Sequence, residues 1–194
     1  MYYIITFTKF YKILLLMLFL SLAISNTYKE PEYTLINKDK NIEIRRYSET
    51  IIAKTSLEGE NRESNNKMFR VLANYIFGGN DKSQKIPMTS PVVTKENNGS
   101  YDMIFFMLDV NSEEELPKPS SENISIEKIN LDKVVVIKFG WWTTKNNIKK
   151  HRDLIEQYIK NYNLKVISEM MVAQYNPPWT LPPFRRNELI FKIK

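Results

Sequence analysis

The chain contains no cysteine, which excludes a disulfide framework, a zinc ribbon, an iron–sulfur centre, a thiol nucleophile and a cysteine-anchored lipoprotein. Histidine is almost as scarce, with His151 standing alone. One imidazole per chain rules out an HExxH zinc site, a facial triad and bis-histidine haem ligation within a single chain. The apolar run from Ile13 to Ile24 has 12 residues, broken by Ser21, too short for a membrane-crossing helix of ~20 residues. It suits instead the ~7–15-residue core of a secretory signal. Lys9 and Lys12 precede the run, and Ala23-Ile24-Ser25 places small residues at −3 and −1 of a cut before Asn26. Residues 1–25 are therefore expected to be a signal peptide exporting residues 26–194 to a periplasm, the exterior or a secretory pathway. The alternative is an uncleaved N-terminal anchor, since residues 2–10 carry the stretch past ~20.

At 194 residues, 43% hydrophobic and 26% charged, the chain has the size and balance of one globular domain. Residues 1–25 hold two lysines and no acid, so without them the formal charge falls from +6 to +4. So small and scattered an excess describes a solvated surface. No nucleic-acid partner is expected from it, and no membrane contact beyond the leader. The triplets Asn98-Gly99-Ser100 and Asn123-Ile124-Ser125 have the form of glycosylation acceptors, relevant only in a host that glycosylates.

Along the mature chain, Tyr33–Asn37 and Ile42–Arg46 flank the turn-forming Lys38-Asp39-Lys40-Asn41 and predict a hairpin, with Ile51–Leu57 as a third strand. The period then changes. Met68, Val71, Leu72, Tyr75 and Ile76 predict a helix over Ser64–Phe77, which Gly78-Gly79 closes. Pro87–Thr94 and Tyr101–Leu108 read as extended, and Asn111–Ser121 as a loop. Ser125–Ile129 and Val134–Phe139 read as two more strands. A second helix is expected over Asn147–Tyr162, from an apolar arc of Ile148, Leu154, Ile155, Tyr158, Ile159 and Tyr162. Val166–Gln174 and Asn187–Ile193 complete the strands. The order repeats itself in two halves, and antiparallel sheet with two packed helices is an α+β arrangement.

Three stretches carry a resemblance. They are Tyr75-Ile76-Phe77-Gly78-Gly79-Asn80 followed by Lys85–Val92, then Leu116-Pro117-Lys118-Pro119, then Tyr175–Glu188 with its paired prolines. In order and spacing they resemble the SOUL haem-binding protein family from about Glu32 to the C-terminus. The resemblance implies a distorted antiparallel β-barrel with two helices and a pseudo-twofold internal repeat, similar to the effector-binding domains of bacterial multidrug-responsive regulators. It also implies reversible, non-catalytic binding of haem or related tetrapyrroles. The histidine proposed to ligate iron in some members falls on Arg46 here, and guanidinium has no lone pair to offer. A helix lysine proposed to face the propionates falls on Asn74, with Lys67 and Arg70 as substitutes one or two turns earlier.

A haem site requires a slot for a flat macrocycle and cations for its propionates. The expected slot is lined by Met68, Leu72 and Ile76 from the helix and by Met88, Phe105 and Met107 from strands, with Lys67, Arg70 and Arg46 as cations. Methionine suits an adaptable pocket, while apolar residues at helical spacing are also what a packed core requires. His151 reads as a structural histidine in the first helical turn. Trp179 and Phe184 are expected to plug the barrel ends, the paired prolines to stiffen the crossover, and Arg185 or Arg186 to pair with Glu188 or face an anion. Of Trp141 and Trp142, at most one can be buried in an extended chain. Two other functions remain open. One is binding of planar hydrophobic cations, for which Glu43 and Glu188 are the acids to watch. The other is a hydrolase that uses a buried Glu188 beside a tyrosine as general base.

Overall fold

The computed structural model describes residues 28–58, 62–97 and 99–194. The expected leader and Asn98 lie outside the described residues. Among the described residues the strands and α-helices follow in the order β1 (Tyr33–Asp39), β2 (Ile42–Glu58), α1 (Arg62–Ile76), β3 (Val92–Asn97), β4 (Ser100–Met107), β5 (Ser125–Phe139), α2 (Lys145–Asn161), β6 (Met171–Gln174) and β7 (Asn187–Lys192). From β2 onward the pattern long strand, helix, short strand, short strand occurs twice. Within each half the long strand pairs with the last short one, β2 with β4 and β5 with β7. Between halves equivalent strands pair, β2 with β5 and β3 with β6. These pairings, with β3–β4 and β6–β7, close an antiparallel barrel of six strands. Strand β1 adds to the outside of β2.

Two expected breaks are absent. Ile42–Arg46 and Ile51–Leu57 are one strand of 17 residues, and Ser125–Ile129 and Val134–Phe139 one of 15. Tyr47–Thr50 and Asn130–Lys133 lay outside the expected strands, but these stretches pair with each other across the middle of β2 and β5. Asp132 absorbs the bend at a φ of 48°. Conversely, Val166 makes a single bridge to Ile193, and the strand begins only at Met171.

Both faces of the barrel wall are apolar, which explains the near-continuous hydrophobic runs of β4 and β5. Val93, Ile104, Phe106, Val134, Val136 and Ile190 point inward. On the outside, Met103, Phe105 and Met107 lie under α1, and Val135, Ile137 and Phe139 lie under α2. Gly78 ends α1 at a φ of 112°, a conformation that glycine adopts cheaply, and Gly79 N–H returns to Asn74 O at 2.8 Å.

Much of what carried the resemblance locks this frame together. The Tyr75 hydroxyl donates to Pro117 O at 2.9 Å. Asp81 N–H donates to Lys118 O, and Ser120 N–H to Gly79 O, each at 3.0 Å. Asn80, buried beside them, donates to Tyr75 O and Gln84 O and accepts from Lys82 and Gln84 N–H.

Candidate functional site

The space between α1 and the barrel is filled. Met68, Leu72 and Tyr75 have no exposed surface, Ile76 has 1%, and Phe105 and Met107 close the layer from below. Met88 is half-buried at its edge. The expected slot is therefore occupied by the side chains that were to line it, because helical apolar periodicity serves packing first. Lys67 and Arg70 point to solvent from the same helix. Arg46 is exposed on β2, where it pairs with Asp132 at 3.3 Å. These cations do not converge with the apolar set.

Inside the barrel, Glu43, Arg45 and Tyr47 alternate along β2 and so share its inner face. Arg45 is 1% exposed. Its Nε donates to Glu43 Oε2 at 2.8 Å, and its two Nη atoms donate to the Glu188 carboxylate at 2.8 and 2.9 Å. Nη1 also reaches the Tyr47 hydroxyl at 2.9 Å. The Tyr175 hydroxyl donates to Glu188 Oε2 at 2.7 Å, and Lys138 Nζ donates to Glu43 Oε1 at 2.8 Å from the rim. Lys38 Nζ also lies 3.6 Å from Glu43 Oε1, so two carboxylates meet three cations. Burial raises the Glu43 carboxyl, but hydrogen bonds from Lys138 and Arg45 reverse this and hold it below the usual carboxylate value. Burial lowers the Arg45 guanidinium, yet Glu188 drives it well above its ordinary value. Burial pushes the Tyr47 hydroxyl up to about 12 and, helped by Glu188, the Tyr175 hydroxyl well up.

Arg45, overlooked in the sequence in favour of its neighbour Arg46, is the hub of this network. The signal was the alternation Glu43-x-Arg45-x-Tyr47, which puts all three on one strand face. Glu188 pairs with Arg45, in place of the expected Arg185 or Arg186. Arg186 instead meets Glu30 at 2.5 Å and stacks 3.6 Å from the Tyr175 ring centre. Beside the network a void of about 20 Å³ lies among Tyr47, Phe106, Tyr175 and Ile190. Glu43 and Glu188 thus have their charges met by protein cations.

An open groove lies at the barrel mouth, and a flatter depression of about 460 Å³ lies on the outer face of α2. Between the start of β1 and the end of β4, a groove of about 330 Å³ is lined by Pro31, Tyr47, Ile51, Met107, Leu108, Val110 and Lys128, among others. A smaller pocket of about 110 Å³ shares Met107, Leu108 and Val110 with it and extends toward Ile86 and Leu116. Lys128 pairs with Glu49 at 2.8 Å and Lys29 with Asp109 at 2.7 Å, all four about half exposed.

The remaining expectations fall elsewhere. His151 stacks on Phe139 with ring centres 4.5 Å apart, and its Nδ1 lies 2.8 Å from Asn147 O, a structural position. Trp179 and Phe184 do not plug the barrel: they are 72% and 49% exposed. Trp141 and Trp142 are both exposed. Asn123 is exposed in the turn before β5. Among the described residues, no cluster of three or more His, Asp or Glu could hold a metal ion, and no helix is long and apolar enough to cross a membrane.

A closed barrel of two equivalent halves, each carrying a helix, is a fold found in other solved structures. The EcmrR C-terminal domain superposes with a TM-score of 0.62 at 10% identity, covering 84% of this chain and 98% of its own. A hydrolase from Listeria innocua superposes with a TM-score of 0.57 at 9% identity, covering 82% and 94%. At such identities the likeness shows the fold alone. Membership is shown by sequence: residues 28–192 match the model of the SOUL heme-binding protein family, and the chain belongs to that family. No curated protein sequence matches it significantly.

Proposed function

We propose that this chain is an exported, non-catalytic binder of haem or a related tetrapyrrole, and that the ligand lies in the groove at the barrel mouth. The observation that carries the placement is the contrast in space. The helix–sheet layer and barrel interior are packed, whereas the mouth groove of about 330 Å³ falls in the ~300–1,000 Å³ range of small-molecule sites. Its Pro31, Ile51, Leu108 and Val110 offer apolar surface to a macrocycle. Lys128, with Lys29 nearby, offers cations to propionates, and their half-exposed ion pairs are weak enough to exchange. Haem would supply the colour and redox chemistry; the chain would supply enclosure and charge.

The family name supports this reading. Against hydrolysis through Glu188 stands the occupation of both its oxygens by Arg45 and Tyr175. Against a planar-cation binder stands the same pairing, which matches Glu43 and Glu188 with protein cations.

Haemin titrated into the protein should give a saturating Soret shift. Leu108→Glu should weaken it by roughly tenfold or more, since a desolvated carboxylate without a partner costs over ~1.4 kcal/mol. The double change of Lys67 and Arg70 to Ala should leave it unaltered. Absence of any shift with protein in excess would remove the haem reading. Loss with the α1 changes but not with Leu108→Glu would move the site to α1.

A further inference from the structure

The protein has three tryptophans, and all three stand exposed at one end of the barrel. Trp141 and Trp142 follow β5, and Trp179 lies in the crossover between β6 and β7 with Leu181 and Phe184. All five residues are between 48% and 72% exposed. The two loops are tied together. Trp141 N–H donates to Pro182 O at 3.0 Å. The Arg185 guanidinium lies 3.9 Å from the Trp142 ring centre. It donates at 2.9 Å to Thr180 O and also to Pro178 O, the carbonyls on either side of Trp179.

The exposure is built in. Trp141 holds a φ of 69°, a costly conformation for a bulky residue. The Asn187 amide donates to its carbonyl at 2.8 Å and the Asn147 amide to that of Trp142 at 2.9 Å. Neither 140–148 nor 175–187 contains an Asp or Glu, against Lys145, Arg185 and Arg186. The chain preceding the described residues also arrives here: Glu30 is bound to Arg186, at the base of the crossover. Two residues before Glu30 the described chain begins, and the apolar run ends at Ile24.

We propose that this aromatic rim is a membrane-surface site, resting in the headgroup region of a bilayer that contains anionic lipid. Tryptophan partitions to that region. Lys145 and Arg185 meet lipid phosphates there, each cation near an anionic surface contributing about 1 kcal/mol. A leader that remained attached would enter the same bilayer beside the rim. The proposal departs from the expectation of no membrane contact beyond the leader. The rim shares no residue with the groove, so the two proposals stand or fall separately.

Because every tryptophan lies in the rim, intrinsic fluorescence reports on it alone, even if residues 1–25 tether the chain to a vesicle. With phosphatidylcholine vesicles containing phosphatidylglycerol, emission should shift to the blue, and chain-brominated lipid should quench most of it. Leu181→Glu with Phe184→Glu, both on exposed positions, should abolish shift and quenching while the far-ultraviolet circular dichroism stays unchanged. Unchanged wild-type emission in vesicles that carry the protein down on sedimentation would overturn the proposal. So would emission already blue without lipid, accompanied by a dimer in analytical ultracentrifugation, which would assign the rim to a second copy.

Discussion

Replacing Arg45 by methionine removes the cation that lies between Glu43 and Glu188 inside the barrel. Arg45 makes four hydrogen bonds at 2.8–2.9 Å, three of them to carboxylates. After the change Glu43 keeps Lys138, but Glu188, 1% exposed, keeps only the Tyr175 hydroxyl. Breaking one side of a buried ion pair costs ~3–5 kcal/mol, because the remaining charge stays desolvated. Against a typical domain stability of ~5–15 kcal/mol this is a large fraction. With a urea dependence of ~1–3 kcal/mol per molar, the unfolding midpoint should fall by about 2 M. Adding Glu188→Leu removes the orphaned charge. Buried pairs replaced by apolar groups are often neutral or stabilising by ~1–4 kcal/mol, so the double variant should recover most of the loss. Urea unfolding followed by far-ultraviolet circular dichroism measures both. A single-variant loss below ~1 kcal/mol, or a double variant less stable than Arg45→Met alone, would refute a desolvated interior network.

Burial pushes the hydroxyls of Tyr47 and Tyr75 up to about 12, above the ordinary ~10. The folded state then holds protons that the unfolded chain has released, so each tyrosine's contribution of roughly 3 kcal/mol is intact below pH ~10 and lost as pH rises through about 12. Urea midpoints that stay flat across that window would contradict this. Leu72→Ala should cost ~2–5 kcal/mol by opening a cavity under α1, with the haemin titration unchanged. Weakened haemin binding at full stability would place the ligand in the helix–sheet layer instead.

Both helices were legible from apolar periodicity, α1 expected over Ser64–Phe77 and found at Arg62–Ile76, α2 expected over Asn147–Tyr162 and found at Lys145–Asn161. Gly78-Gly79 marked the end of α1 correctly. The long strands were not legible as such. Tyr47–Thr50 has the polarity of a turn, and only its partner segment in β5, some eighty residues away, keeps it extended. The candidate site fared worse for a related reason. Met68, Leu72 and Ile76 have the same periodicity whether they face a ligand or each other.

The amino-acid sequence by itself determined the family, the α+β class, the two-halved order of elements and the absence of cysteine chemistry, since each follows from residue identity or local period. Tertiary structure alone decided that Arg45 neutralises Glu188 and that the helix faces are sealed. It also moved the open groove to the barrel mouth and gathered the three tryptophans on one rim. Those outcomes depend on which distant strands close upon one another, and the energy of a buried charge or an exposed ring is set by neighbours that the linear order does not name.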